Sequence, residues 1–181
     1  STQISLAGRL LVYLPQESHI GISQRIEDEE ERQHLRDKLQ QLLPPEVTGG
    51  FIIRTMAEAA SDRELTADID YLRKLWLDIQ EKAKSAAPAT PLYHDLNLGL
   101  RVARDLANEE TVRILIDSRE TYQKLQGFAQ EFMPNVAPRL EHYAGERPLF
   151  DLYGVDDEIE KALARRVDLK SGGYLIIDQT E

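Results

Sequence analysis

The first sixty residues alternate short apolar runs with polar segments. Ser5–Leu14 ends in a run of apolar residues and is predicted to form one strand, followed by a loop at Gln16–Gly21. Glu27–Leu43 begins with acidic residues and then repeats leucine at helical spacing, which predicts a helix. A Gly-Gly turn leads into a second predicted strand at Phe51–Thr55.

The longest helical pattern covers Asp62–Ala86. Its apolar stripe consists of Leu65, Ile69, Leu72, Trp76 and Ile79. We expect this stripe to face the core. The segment Ala86–Pro91 combines small residues with two prolines and is predicted to be a boundary loop.

Helix and strand patterns also alternate in the second half of the chain. Helices are predicted at Asn97–Asn108, Ser118–Phe132 with Ser118 as its cap, and Asp156–Arg165. Strands are predicted at Val112–Asp117 and Arg139–Tyr143, a turn at Leu149–Tyr153, and a hairpin of Arg166–Leu169 with Tyr174–Ile177. This alternation predicts an α/β or α+β fold with short sheets covered by helices.

Composition narrows the class of protein. The 181 residues can form one domain or two small ones, and no apolar run approaches the roughly 20 residues of a membrane span. The N-terminus lacks the pattern of a signal peptide. The absence of cysteine excludes disulfides and thiolate zinc sites. A formal net charge of −10 argues against non-specific coating of nucleic acid, so any contact with nucleic acid should be local.

The strand at Gly50–Thr55 ends on an arginine beside a hydroxyl. Arg54 offers a planar fork of donors and a permanent charge, and Thr55 adds a hydroxyl and a backbone N–H. Such a strand end suits a terminal phosphate. The alternative is a solvated arginine at a strand end that binds nothing.

The other polar residues give weaker indications of a metal site or a catalytic site. Asp178 and Glu181 follow an apolar strand, where solvation of the strand end is favoured over a metal site. Asp117 lacks accompanying acids, and His94 and His142 lack partners for acid–base chemistry.

Five segments occur in the order typical of one family. They are Ile4–Arg9, Gly21–Glu27, Gly50–Thr55, Leu140–Gly145 and Leu169–Glu181. On these segments the chain resembles the ribonuclease E/G family of bacterial endoribonucleases, and within it the ribonuclease G branch.

The resemblance implies a division of the chain. Residues 1–97 would form a 5′-sensor region, residues 98–162 a degenerate ribonuclease H-like subdomain, and residues 163–181 the start of a DNase I-like catalytic subdomain. An S1 RNA-binding domain would precede Ser1, and the first catalytic aspartate would follow Glu181. The chain is therefore expected to be a fragment with no catalytic residue and no metal site of its own.

The resemblance also implies a site. Arg54 and Thr55 match the residues that bind the 5′-monophosphate of RNA. Gly8 and Val12 match residues that line the pocket beside the first nucleotide, where glycine permits close backbone approach and valine offers an apolar face.

Two further residues match the rim of that pocket. Gln24 stands where the family has an arginine, which leaves the pocket less basic, and Arg25 occupies the next position.

The longer protein is then expected to be a cytoplasmic, single-strand-specific endoribonuclease of RNA processing and decay. It would use Mg²⁺, form a homo-oligomer, bind single-stranded RNA with a 5′-monophosphate, and have no DNA or membrane partner. The fragment itself would need no cofactor. The alternative function is a non-enzymatic protein-interaction module, in which the acidic helices bind a protein and Arg54 is solvated.

Overall fold

The computed structural model describes residues 3–178 of the chain. Within that range the strands are Leu6–Ala7 (β1), Leu11–Leu14 (β2), Ile20–Ile22 (β3), Gly50–Ile53 (β4), Ile114–Ile116 (β5), Leu140–His142 (β6), Arg166–Asp168 (β7) and Tyr174–Ile176 (β8). The helices are Glu29–Leu42 (α1), Asp62–Ser85 (α2), Leu98–Leu106 (α3), Arg119–Phe132 (α4), Leu149–Tyr153 (α5) and Val155–Leu163 (α6), with 3-10 turns at Thr55–Ala57 and Ala137–Arg139. The predicted α+β class is confirmed.

The first four strands form one sheet in the order β1-β2-β4-β3. The β1–β2 and β2–β4 pairs are antiparallel, whereas β3 runs parallel to β4. One face packs under α1 and α2 and carries the buried residues Leu11, Tyr13, Phe51 and Ile53. The opposite face carries Ala7, Val12, Gly21 and Ile52, which are half-buried or exposed, and the pair Leu14 and Gly50, which is buried. The sheet is therefore covered on one face and partly exposed on the other.

Capping side chains fix where α1 and α2 begin. The Asp28 carboxylate accepts a hydrogen bond from the N–H of Glu31 at 2.8 Å. Ser61 and Glu64 form a reciprocal capping box at the start of α2. The predicted apolar stripe of α2 is buried except for Trp76, which is half-buried and packs against the core.

A second, smaller core surrounds the parallel pair of β5 and β6. Its buried members are Ala103, Ile116, Leu125, Ala129, Ala137 and Leu140. The predicted cap of α4 is confirmed, since the hydroxyl of Ser118 accepts from the N–H of Thr121 at 3.2 Å.

The segment that contains α5, α6 and the antiparallel hairpin β7–β8 has no buried residue between positions 149 and 178. Over residues 3–178, every helix is too short or too polar to span a bilayer.

Three sequence predictions were wrong in detail. Ser5–Leu14 is a hairpin of two strands, because a turn at Gly8–Leu10 is held by contacts from a distant helix. Ile20–Ile22 is a strand, although its first two residues were assigned to the loop Gln16–Gly21. It pairs with β4 through long-range parallel bonds that leave no local pattern. Leu149–Tyr153 is a short helix that ends at Gly154, whose φ of +63° is left-handed.

Candidate functional site

The turn between β1 and β2 is held by a buried carboxylate from α2. Asp68 is 7% exposed and accepts hydrogen bonds from the backbone N–H groups of Arg9 at 2.9 Å, Leu10 at 2.9 Å and Leu11 at 2.8 Å. Burial raises the pKa of Asp68, against the opposing effect of these three donors and of the Arg104 charge. The carboxylate fixes the shape of the turn.

Gly8 lies where a side chain would collide with that carboxylate. A Cβ at this position would approach Oδ1 of Asp68 to 2.7 Å and its Cγ to 2.8 Å. Because three backbone donors hold Asp68 in place, it cannot move aside. The close approach of α2 therefore requires glycine at this point of the turn.

Arg54 follows β4 and packs against the same turn. Its N–H donates to the carbonyl of Leu10 at 2.9 Å. Its Nη1 donates to the carbonyls of Gly8 at 2.5 Å and Arg9 at 3.2 Å. Within residues 3–178 every side-chain hydrogen bond of Arg54 uses Nη1, and 35% of the side chain is exposed. One edge of the guanidinium is anchored, and the edge formed by Nε and Nη2 makes no hydrogen bond within the described residues.

Helix α3 brings a second pair of charges to this turn. Arg104 is buried and donates from Nη1 to the carbonyl of Ala7 at 2.9 Å. Its Nε and Nη2 donate to the two carboxylate oxygens of Asp105 at 2.7 and 3.0 Å. Oδ1 of Asp105 lies 4.0 Å from Nη1 of Arg54.

Asp105 is held in its charged form. Partial burial acts to raise its pKa, but the hydrogen bonds and charge of Arg104, with the charges of Arg54 and Arg101, lower the pKa below the ordinary value. The carboxylate is therefore ionised at neutral pH.

On the other side of the turn, the side chain of Arg9 is hydrogen-bonded to an acid and to a backbone carbonyl. Its Nη1 donates to Oε1 of Glu64 at 3.1 Å and to the carbonyl of Ala107 at 3.3 Å. Hydrogen bonding from Ser61 at the helix start, aided by Arg9, lowers the pKa of Glu64. The neighbourhood of Arg54 thus contains the arginines Arg9, Arg101 and Arg104 and the carboxylates of Glu64, Asp68 and Asp105.

Thr55 and Val12 lie near Arg54 without a hydrogen bond to it. Thr55 is half-buried and begins a 3-10 turn directly after Arg54. Val12 is half-buried and pairs with Ile52 of β4. Ile52 precedes Arg54 by two residues in the chain. The structure brings Gly8 and Arg54 into direct contact, with Thr55 next to Arg54 in the chain and Val12 paired with Ile52 in the sheet.

Gln24 and Arg25 lie on the other side of β4. The N–H of Ser23 donates to the carbonyl of Ile53 at 2.8 Å, which brings the loop after β3 alongside the end of β4. Both Gln24 and Arg25 are exposed there. None of the six predicted site residues lines either of two surface cavities of about 780 and 810 Å³, although Leu10, Asp68 and Arg104, which belong to or contact the turn between β1 and β2, line the larger one.

The acidic candidates do not form a metal site in the described chain. Asp178 pairs with Arg165 at 2.6 Å, and Asp117 is exposed. Glu181 lies outside the described residues. Among residues 3–178, no three His, Cys, Asp or Glu side chains lie where they could hold a metal ion. These residues do not fit a magnesium site, and the hydrolytic step is not assigned to them.

The two histidines have ordinary surroundings. His94 is exposed, and His142 is half-buried with its ring centroid 5.7 Å from that of Tyr122.

Sequence reasoning missed the three residues that hold the turn and its arginine. Asp68 carried a usable signal, because an acid at this position interrupts the apolar face between Leu65 and Leu72. Arg104 and Asp105 carried none, since their contacts at this turn, with Ala7 and Arg54, join distant parts of the chain.

Comparison with known proteins identifies the family. The sequence model of the ribonuclease E/G family matches residues 5–181. The chain belongs to the ribonuclease E/G family. All six predicted site residues lie inside the matched range.

Individual relatives from the ribonuclease E/G family agree. The chain is 48% identical over 181 residues to Ribonuclease G of Escherichia coli strain K12 and 42% identical to Ribonuclease G of Haemophilus influenzae. It is 33% identical to Ribonuclease E of a Nostoc species. The alignments cover 100, 100 and 98% of this chain but only 37, 36 and 26% of those proteins.

Proposed function

We propose that the end of β4 recognises the 5′-monophosphate of single-stranded RNA, as part of an endoribonuclease. The observation that carries the proposal is the hydrogen bonding of the Arg54 side chain. Its Nη1 is fixed by the carbonyls of Gly8 and Arg9, while Nε and Nη2 form no hydrogen bond within residues 3–178 and 35% of the side chain is exposed. Two parallel N–H donors on a fixed cation fit two oxygens of one phosphate.

The surroundings support this assignment. Thr55 follows Arg54 directly and can add its hydroxyl to a phosphate oxygen, and Val12 offers an apolar surface next to it. A 5′-hydroxyl brings no charge for Arg54 to pair with. The arrangement therefore favours a phosphorylated end over a hydroxyl end.

The cleavage activity is proposed for the longer protein. Relatives from Escherichia coli and Haemophilus influenzae that align with the whole of this chain are named Ribonuclease G, which supports a ribonuclease activity, and we propose that it cleaves within the strand in RNA processing and decay. We assign the Mg²⁺ of that reaction to residues other than the described ones and expect no cleavage by the 181 residues alone. Cytoplasmic location, homo-oligomeric assembly, and the lack of a DNA or membrane partner belong to the same proposal.

A titration with two RNAs tests the proposed function. The 181-residue chain is titrated with a short single-stranded RNA labelled at its 3′ end and carrying either a 5′-monophosphate or a 5′-hydroxyl. We expect the monophosphate to bind about tenfold more tightly at about 50 mM salt, since one charge-assisted fork contributes about 1.4 kcal/mol or more. Arg54→Ala should remove this preference.

The control is Arg36→Ala, which removes a cation from the surface of α1. Arg36 donates to Gln33 on its own helix, so this variant should keep the monophosphate preference. Equal binding of both RNAs by the wild-type chain would contradict the proposal and favour the protein-interaction alternative.

A further inference from the structure

We propose that Asp105 sets the specificity of this site by disfavouring 5′ ends that carry more negative charge than a monophosphate. The inference rests on the proposed 5′-end function. It concerns one carboxylate of α3, which lies 4.0 Å from Nη1 of Arg54.

The Asp105 carboxylate cannot turn away from the site. Both of its oxygens accept hydrogen bonds from Arg104, at 2.7 and 3.0 Å. Arg104 is itself buried, with 6% of its side chain exposed, and is anchored to the carbonyl of Ala7 at 2.9 Å. A phosphate that binds the Nε–Nη2 edge of Arg54 therefore has a negative charge at a fixed position near Nη1, on the other edge of the same guanidinium.

Two of the neighbouring cations are already matched by acids. Arg104 is paired with Asp105, and Arg9 is paired with Glu64 at 3.1 Å. Among these three arginines Arg54 has unused donors at Nε and Nη2, and the exposed Arg101 of α3 adds a further positive charge near Asp105. A monophosphate brings between one and two negative charges at neutral pH, and each further phosphate adds at least one.

Repulsion from Asp105 rises in proportion to the charge of the RNA end. A 5′-hydroxyl is unaffected, a monophosphate is disfavoured slightly but gains the Arg54 fork, and a triphosphate is disfavoured most. Arg54 selects for charge and Asp105 selects against excess charge. A purely structural role for Asp105, in holding Arg104, would change the binding of every RNA by one common factor.

The test compares three RNAs of one sequence with a 5′-hydroxyl, a 5′-monophosphate or a 5′-triphosphate, each labelled at the 3′ end. In Asp105→Asn we expect triphosphate binding to tighten by about threefold to tenfold and monophosphate binding by less than about threefold. Hydroxyl RNA should be unchanged. The gain should shrink between about 50 and 200 mM salt, because added ions screen the charge.

Two further variants make the test decisive. Asp156→Asn removes a carboxylate from exposed α6 and should leave the triphosphate-to-monophosphate ratio of dissociation constants at the wild-type value. Asp105→Glu keeps the charge and should keep that ratio at or above the wild-type value, which tests the inference even if Asp105→Asn fails to fold.

The outcomes separate the two proposals. A wild-type chain that prefers the monophosphate over the hydroxyl, with a ratio unchanged in Asp105→Asn, overturns the role of Asp105 alone. A ratio that falls in Asp105→Glu also overturns it. A wild-type chain that binds all three RNAs alike overturns the 5′-end function and this inference together.

Discussion

The sheet region and the C-terminal segment both follow clear sequence patterns, but they differ in what they bury. In the sheet region, formed by β1–β4 with α1 and α2, Phe51 is fully buried. In the segment of α5, α6 and the β7–β8 hairpin, Phe150 is 54% exposed. Helical spacing and turn residues suffice to form elements, whereas a core also needs elements that cover one another.

The proposed site belongs neither to the buried core of the sheet region nor to the exposed C-terminal segment. It lies where the sheet region meets α3 of the second core, and charged side chains rather than apolar ones make the connection. Stability and binding are therefore expected to respond to different substitutions.

The largest expected effect separates the two phenylalanines. Phe51→Ala should lower the free energy of unfolding by about 3–5 kcal/mol, because it leaves a cavity beside Tyr13, whose ring centroid is 5.0 Å away. Phe150→Ala should change it by about 0.5 kcal/mol or less. Urea unfolding followed by circular dichroism measures both. Similar losses for the two variants would show that the C-terminal segment is packed in solution.

The next effect concerns the turn that supports Arg54. Asp68→Ala leaves three backbone N–H groups without their acceptor and should cost about 3 kcal/mol, whereas Asp70→Ala on the exposed side of α2 should cost about 0.5 kcal/mol or less.

A double variant checks the cause. Gly8→Ala should be destabilising in the wild type but nearly neutral when Asp68 is already alanine, because the carboxylate that its Cβ would meet is gone. Strict additivity of the two losses would argue against that contact.

The smallest effect depends on pH. Hydrogen bonding from Ser61, then the Arg9 charge, lowers the pKa of folded Glu64 below its ordinary value of 4.5. Its ionisation therefore stabilises the fold above about pH 4.5, and this contribution is lost as pH falls through the folded pKa. Wild type should exceed Glu64→Gln by about 1 kcal/mol or less at pH 7 and lose this advantage as the pH falls below 4.5 through the folded pKa. Thermal melts across this range measure the difference, and a constant difference would contradict it.

Locally coded elements were predicted well. The predicted helix Asp62–Ala86 is observed at Asp62–Ser85. Its capping box and apolar stripe depend only on residues that are close together in the sequence. The short strand Ile20–Ile22 was not predicted, since its three residues gain their structure from β4, about thirty positions later.

The site shows the same limit. Arg54, Thr55, Gly8 and Val12 were proposed from local motifs and from the family resemblance, and whether they bind a phosphate stays a prediction. Asp68 and Arg104 reach the turn from 59 and 97 positions away along the chain. Contacts at such separations depend on the packed fold, which no window of the sequence encodes.

The anchoring of Arg54 has a consequence for the thermodynamics of binding. A free arginine side chain loses up to about 2 kcal/mol of conformational entropy when it is fixed in one geometry. Here the carbonyls of Gly8 and Arg9 already restrict it before any ligand arrives. The ordering has thus occurred during folding, so association with an anion should carry a smaller entropic penalty than at a mobile surface arginine.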